Sequence, residues 1–314
     1  MSFKKWSLQS VRSIGMTTDT ILDHCGNPLS GQNFAVKGLV IGDIQSGKTA
    51  NYTALINKAI DAGYKMIIVL AGMTKDLRSQ TQKRLDLEVL GYETKENLQK
   101  GEIIGVGKVD SRVKKSIFCL TGSDMDGDIK KFSQTYTFDG STVFLAIVKK
   151  NTTVLRKMVD FIQTNPAVKA SSNGKLNYPA LIIDDEADRA SLNTKKTSAM
   201  QEATATNRLI RTLLNCMDKY SYVGYTATPF ANIFISPYDD PKYTLEDKDI
   251  FPENFIICLP TPDQYCGVKQ YFGTETLDED GNDKYHVFEV MKWNELKDTI
   301  KVEETGPNPI AYIP

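Results

Sequence analysis

Hydrophobic positions along this chain fall into two alternating kinds of segment. Short, nearly continuous apolar runs end in small or polar residues: AVKGLVIG (35–42), KMIIVLAG (65–72), VFLAIV (143–148), ALIIDDEAD (180–188) and YSYVGYTATP (220–229). Between them lie stretches with apolar residues at helical spacing. Leu55, Ile56, Ala59 and Ile60 mark one after the first run, with Gly63 where a C-terminal cap belongs. DLRSQTQKRLDLEVL (76–90) marks a second, a third passes through Met158 and Ile162, and a fourth lies around 199–217. Continuous apolar strands alternating with helices predict an α/β fold, a mostly parallel sheet covered on both faces. The polar, glycine-bearing TGSDMDGDIKKFSQTYTFDGS (121–141) reads as a loop or small hairpin. After Phe234 the chain turns acidic and proline-punctuated, so the α/β core is expected to span 35–235. A lead segment (1–34) precedes it and an extension (236–314) follows; no internal repeat is visible.

Composition narrows the class. Of 314 residues, 41% are apolar and 25% charged, the balance of a globular protein with a real core. A net charge of −1 gives no global basic field, so any nucleic-acid site must be a local patch. Cys25, Cys119, Cys216, Cys258 and Cys266 have no CxxC spacing and only His24 and His286 as histidine partners. That argues against structural zinc and fits free thiols in a reducing cytosol. The N-terminus has no signal-peptide core and no apolar run long enough to span a bilayer, so a cytoplasmic location is expected.

The first chemical motif is Gly42-Asp-Ile-Gln-Ser-Gly47-Lys48-Thr49, a full G-x4-G-K-[ST] between a strand and a helix. Glycines let backbone N–H groups of Gln45, Ser46, Gly47 and Ala50 approach phosphate oxygens, and the helix N-terminus adds its dipole. Lys48 would reach the β- and γ-phosphates of ATP, and Thr49 would hold Mg²⁺ through its hydroxyl. The second motif is the acidic end of ALIIDDEAD, at the strand edge where α/β sheets bind ligands. Asp185 is the natural partner of Mg²⁺, and Glu186 the natural residue to orient and deprotonate a water; Asp184 has no clear place in that chemistry, a cap of the strand end being its simplest role. The third is Thr226-Ala-Thr228-Pro229 at the end of another strand.

P-loop, DEAD and TATP occur in the order of motifs I, II and III of superfamily-two helicases, and the chain resembles that superfamily. The resemblance implies a RecA-like lobe in which Thr226 and Thr228 couple nucleotide to nucleic acid by bonding toward the DEAD residues. A closer resemblance is carried by YTATPFANIFI and FPENFIICLPTPDQYCGVKQYFG together with the P-loop and LIIDDEAD segments. These look like the bacterial Z-one domain proteins, large endonuclease-like proteins of restriction and phage-defence neighbourhoods. The similarity runs from about Thr18 to the end of the chain. It implies DNA as partner, with a second RecA-like lobe and a nuclease region. The chain ends about 85 residues after TATP, short of a lobe of about 150 residues. The expectation is therefore an N-terminal portion of a longer protein, binding ATP and hydrolysing it slowly without an arginine from the second lobe.

By the same resemblance, Arg78 and Gln82, one turn apart, occupy the motif Ia position and could hold strand phosphates. Lys149 and Lys150, after the VFLAIV run, are further candidates. All four equally fit a solvated surface of mixed charge. Glu93-Thr-Lys95 and Asp128-Ile-Lys130 match a short nuclease pattern but lack a preceding acidic partner, so cleavage is not expected from this chain. DMDGD and DEDGND fail the calcium-loop pattern and read as turns. Gln9 or Gln32 could read adenine, with TTDTILDHCGNPLSG closing over the base. A P-loop switch that controls a protein partner without nucleic acid is the competing reading.

Overall fold

The computed structural model describes residues 7–43, 47–94, 100–109, 117–124, 128–129, 138, 140–189, 198–229, 232, 250–260, 301–303 and 310–312. Two compact units result, Met1–Thr261 and Pro262–Pro314.

The first unit opens with helix α1 (Leu8–His24), then strand β1 (Phe34–Ile41), α2 (Lys48–Ala62), β2 (Met66–Ala71) and α3 (Lys75–Leu85). A wider π-type turn, Asp86–Leu90, carries α3 on to Gly91. Next come β3 (Tyr92–Thr94), β4 (Lys100–Ile103), the short α4 (Val106–Val109), β5 (Ile117–Cys119), β6 (Val143–Val148), α5 (Thr152–Gln163) and α6 (Pro166–Lys169). The unit closes with β7 (Ala180–Asp185), α7 (Ser198–Asn215), β8 (Lys219–Thr226) and β9 (Phe255–Cys258). In the second unit, β10 (Lys301–Glu303) and β11 (Ile310–Tyr312) pair antiparallel.

Seven strands form one sheet in the order β5-β6-β2-β7-β8-β1-β9. Every pairing in it is parallel. This is the RecA-like α/β arrangement expected, with β8 inserted between the P-loop strand β1 and the acidic strand β7. The continuous apolar runs follow from burial on both faces. Met66, Ile68 and Leu70 join Val154, Leu155 and Met158 of α5 and Ile210 and Leu213 of α7 on one side. Ile67, Val69 and Ala71 join Leu55, Ile56 and Ala59 of α2 on the other, with Ile21 of α1. Side chains alternate along a strand, so a run buried on both sides must be apolar at each position. Each fully buried Ile or Leu contributes about 1.5–3 kcal/mol, so the sheet centre is where stability concentrates.

Of the elements outside the sequence expectations, α1, β9 and β5 bear on the sheet and its cover. The lead segment is largely helix. Thr18 and Ile21 of α1 are buried, and Lys58 of α2 pairs with Asp19 at 2.5 Å and donates to Gly15 O at 2.7 Å. Through His24 it lies as a helix against α2. At the other end, β9 pairs with β1 from Gly38↔Phe255 to Ile41↔Cys258, so the sheet draws a strand from beyond the expected edge near Ser236. The three-residue β5 adds the opposite edge strand beside β6. The predicted cap at Gly63 is present at φ 113°, where its N–H donates to Ala59 O and Ile60 O. Among the described residues no helix is long and apolar enough to cross a membrane.

Candidate functional site

Parallel pairing sends the C-terminal ends of β1, β8 and β7 to one edge, and the three sequence motifs follow those ends directly. Tertiary contacts then lock them together. Gly42 N donates to Thr226 O (3.0 Å), tying the start of the P-loop to the end of β8. Ala187 N donates to Tyr225 O (3.0 Å), tying the acidic turn to the same strand. Gly224 makes this approach possible: a Cβ there would meet Ala187 Cβ at 3.0 Å.

Gly47 caps α2 in the left-handed conformation (φ 89°) with no side-chain hydrogen bond to the cap. A Cβ built on Gly47 meets no atom within 4 Å. The first turn of a 15-residue helix therefore presents its N–H groups at Lys48, Thr49 and Ala50 without a side-chain acceptor. Lys48 Nζ folds back over the loop, donating to Gly42 O (2.9 Å) and Asp43 O (2.7 Å). Burial lowers the pKa of Lys48, opposed chiefly by the field of Asp185 and then of Asp43, Asp188 and Glu186. Gln45 and Ser46 lie outside the described residues.

The acidic turn has a distinct role for each residue. Asp185 accepts from the Tyr52 hydroxyl at Oδ2 (3.2 Å) and from Glu186 N at Oδ1 (3.1 Å). Desolvation raises its carboxyl above the usual Asp value, against the lowering effect of Lys150 and Tyr52. Glu186 is the one non-glycine residue with positive φ among the described residues, at 56°. Left-handed backbone at such a residue costs about 1–3 kcal/mol and is kept only where surroundings enforce it. Asp188 accepts from Thr226 Oγ1 (2.9 Å) and Thr228 Oγ1 (2.7 Å), one on each carboxylate oxygen. Thr228 N donates in turn to Thr226 Oγ1 (3.0 Å). Both threonines thus bond toward the DEAD residues as the motif order implied, and the acceptor is Asp188.

Asp184, without a clear role in the sequence beyond a strand-end cap, is fully buried. It accepts from Lys150 Nζ (2.9 Å) and from the Tyr222 hydroxyl (2.5 Å). Tyr52 was not anticipated either, although its position three residues after Thr49 places it one helical turn along the same face. It packs edge-on to Tyr225 at 5.5 Å, and the Tyr225 hydroxyl donates to Asn51 Oδ1 (2.8 Å). Asn51 Nδ2 donates to Thr17 Oγ1 of α1 (2.9 Å), so α1 is wired to the helix that follows the P-loop.

The nucleic-acid candidates require correction. Arg78 is fully buried: its Nη1 donates to Gly122 O (2.8 Å), its Nη2 to Asp124 O, and its Nε lies 3.7 Å from Asp128 Oδ1. Gln82 is also buried, donating to Asp86 Oδ1 (2.9 Å) and accepting from Thr121 Oγ1 (2.6 Å). Asp86 takes two further bonds from Thr94, N and Oγ1, and burial nonetheless raises its pKa. Lys149 pairs with Asp128 at 2.9 Å with its side chain 14% exposed, and Lys150 is fully buried against the acidic turn. The polar face of α3 therefore bonds to Thr121, Gly122, Ser123, Asp124 and Asp128. A chain of polar residues at helical spacing looks the same in sequence whether its partner is a phosphate or the protein's own backbone. Gln9 and Gln32 are exposed.

No protein-family model matches the chain, and no curated protein matches its sequence. Among solved structures it is similar to the ATP-dependent Type ISP restriction-modification enzyme LlaBIII bound to DNA. That similarity covers 73% of this chain and 13% of that one, at 13% identity and a TM-score of 0.39. It is also similar to the Hef helicase domain of Pyrococcus furiosus, over 83% of this chain and 40% of that one, at 14% identity and a TM-score of 0.36. The chain spans less than half the length of either.

Proposed function

We propose that this chain is the ATP-binding and hydrolysing first lobe of a superfamily-two helicase-like DNA motor, working in a bacterial restriction or phage-defence endonuclease system. One observation carries the reading: an uncapped helix N-terminus belongs to the same helix that reaches the carboxylate turn through Tyr52 and Asp185, and Asp188 of that turn is bonded by both Thr226 and Thr228. The Z-one resemblance in the sequence supports the wider setting, cytoplasmic and acting on DNA.

The residues fit a nucleotide phosphate. Gly47 leaves space at the helix N-terminus, and the field of Asp185, Asp43, Asp188 and Glu186 acts on Lys48. Among the described residues no group of three or more His, Cys, Asp or Glu could hold a metal alone, so Mg²⁺ would be shared between protein and phosphates. When bound, MgATP supplies the transferable γ-phosphoryl group and the cation that neutralises its oxygens. Gly42, Gln45, Ser46, Gly47 and Ala50 would cradle the phosphates, Lys48 would exchange Gly42 O and Asp43 O for phosphate oxygens, and Thr49 and Asp185 would hold Mg²⁺. Glu186 would orient a water and accept its proton. Thr226 and Thr228 would report the state of the turn through Asp188 to the end of β8. A second RecA-like lobe would complete the charge stabilisation and the DNA track, and a nuclease region of the longer protein would cut.

A P-loop switch controlling a protein partner is the second reading. It is favoured by the internal engagement of Arg78, Gln82, Lys149 and Lys150, which leaves those four side chains committed within the lobe. Phosphate release by the complete gene product, with and without single- and double-stranded DNA and alongside Lys48→Ala, separates the two. Hydrolysis raised several-fold by one DNA form and abolished in the variant supports the motor. Hydrolysis indifferent to both DNA forms refutes it and leaves the switch.

A further inference from the structure

We propose that Lys150 is a positioning residue for hydrolysis: its buried ammonium sets the conformation of the 185–189 turn and so the place of the Glu186 carboxylate. The role rests on the ATPase reading above. Lys150 is fully buried, and its Nζ meets four oxygens: Asp184 Oδ1 at 2.9 Å, Asp185 O at 2.8 Å, Glu186 O at 2.6 Å and Arg189 O at 3.0 Å. Three of these are backbone carbonyls of the turn that carries Asp185 and Glu186.

That arrangement differs from an ordinary buried ion pair. An ammonium has three protons and no acceptor, and one carboxylate oxygen would suffice to neutralise its charge. Here Asp184 balances the charge and is itself completed by the Tyr222 hydroxyl. Its three N–H groups are shared among Asp184 Oδ1 and three backbone carbonyls, at least one of them bifurcated, and so draw together carbonyl dipoles that would otherwise repel one another. The left-handed Glu186 (φ 56°) is flanked by two of these carbonyls, that of Asp185 before it and its own. A cation collecting the carbonyls on both sides of a strained residue is what makes the strained conformation the favoured one.

The lysine also comes from a different part of the sheet. It follows β6, and its own N–H donates to Gly72 O at the end of β2 (2.8 Å), so its origin is fixed while its tip holds the turn. The four oxygens that Lys150 Nζ meets all belong to Asp184–Arg189, outside the P-loop. The chemistry therefore predicts a split: the phosphate cradle survives loss of Lys150 and the water-orienting geometry does not.

The test uses the complete gene product carrying Lys150→Met, and Lys150→Met combined with Asp184→Asn. The double variant removes both charges, so neither is left buried alone and the fold is retained even if the single variant fails. Three quantities are read: affinity for a fluorescent ATP analogue with Mg²⁺, kcat, and hydrogen exchange of the 186–189 amides. In the double variant nucleotide affinity stays within about threefold, whereas kcat falls about 100-fold or more because the carboxylate is misplaced. Exchange in the turn quickens about tenfold or more while β7 stays protected. A folded double variant with kcat within about threefold of wild type, or with unchanged exchange in the turn, overturns the role of Lys150 alone. A wild-type protein that hydrolyses no ATP overturns the ATPase reading and this role in it together.

Discussion

Thr226 and Thr228 bond the two oxygens of one carboxylate, and replacing each with Val asks which matters more, bond length or burial. Thr228 makes the shorter bond, 2.7 Å against 2.9 Å. Thr226 is 1% exposed, whereas Thr228 is exposed. Valine matches threonine in shape, so each substitution removes a hydroxyl and little else. A hydrogen bond to a charged acceptor contributes about 1.5–3 kcal/mol when water cannot replace it. At Thr226 the loss also leaves Thr228 N without its acceptor at 3.0 Å, so Thr226→Val should cost about 2–3 kcal/mol. At Thr228 water takes the vacated position, and the cost should be about 0.5–1 kcal/mol. In a domain of this size 1 kcal/mol corresponds to about 2–4 °C in Tm, so thermal melts should show losses of about 4–12 °C and about 1–4 °C. The double variant should cost less than the sum by at least about 0.5 kcal/mol, because both hydroxyls share Asp188. A Thr228 variant as damaging as the Thr226 variant, or strict additivity, would refute the reasoning.

Two further outcomes follow from buried charge. Burial raises the pKa of Asp185, so the folded protein binds its proton more tightly than the unfolded chain; stability falls as pH rises from the ordinary Asp value through the raised one. Asp185→Asn should therefore raise Tm by about 1–4 °C at neutral pH, a gain that fades toward pH ~4, while abolishing hydrolysis; melts across pH decide it, and a destabilised variant at pH 7 would refute it. Arg78→Met should remove a buried cation from Asp128 and two carbonyls at a cost of about 3–5 kcal/mol, seen as a Tm loss of at least about 6 °C. A Tm within about 2 °C of wild type together with weakened DNA binding would instead place Arg78 on a nucleic-acid surface.

What the sequence determined by itself was whatever depends on neighbours along the chain. Continuous apolar runs marked β1, β2, β6, β7 and β8 because a strand buried on both faces needs apolar residues at consecutive positions. Helical spacing located α2, α5 and α7, and Gly63 ended α2 because few other residues accept φ 113°. The P-loop glycines, Lys48 and the DEAD turn were legible for the same reason. Tertiary structure alone decided which oxygen each polar side chain met. Arg78 finds its partners at Gly122, Asp124 and Asp128, and Lys150 finds its own at Asp184–Arg189. Nothing local tells a lysine bound for a phosphate from one bound for a carbonyl more than thirty residues away. It also decided that α1 lies on α2 and that Phe255–Cys258 joins β1, since a short strand gains stability only from the neighbour that completes its hydrogen bonds. Periodicity is a property of the chain, whereas the partner of a buried charge exists only once the sheet has brought distant strand ends to one edge.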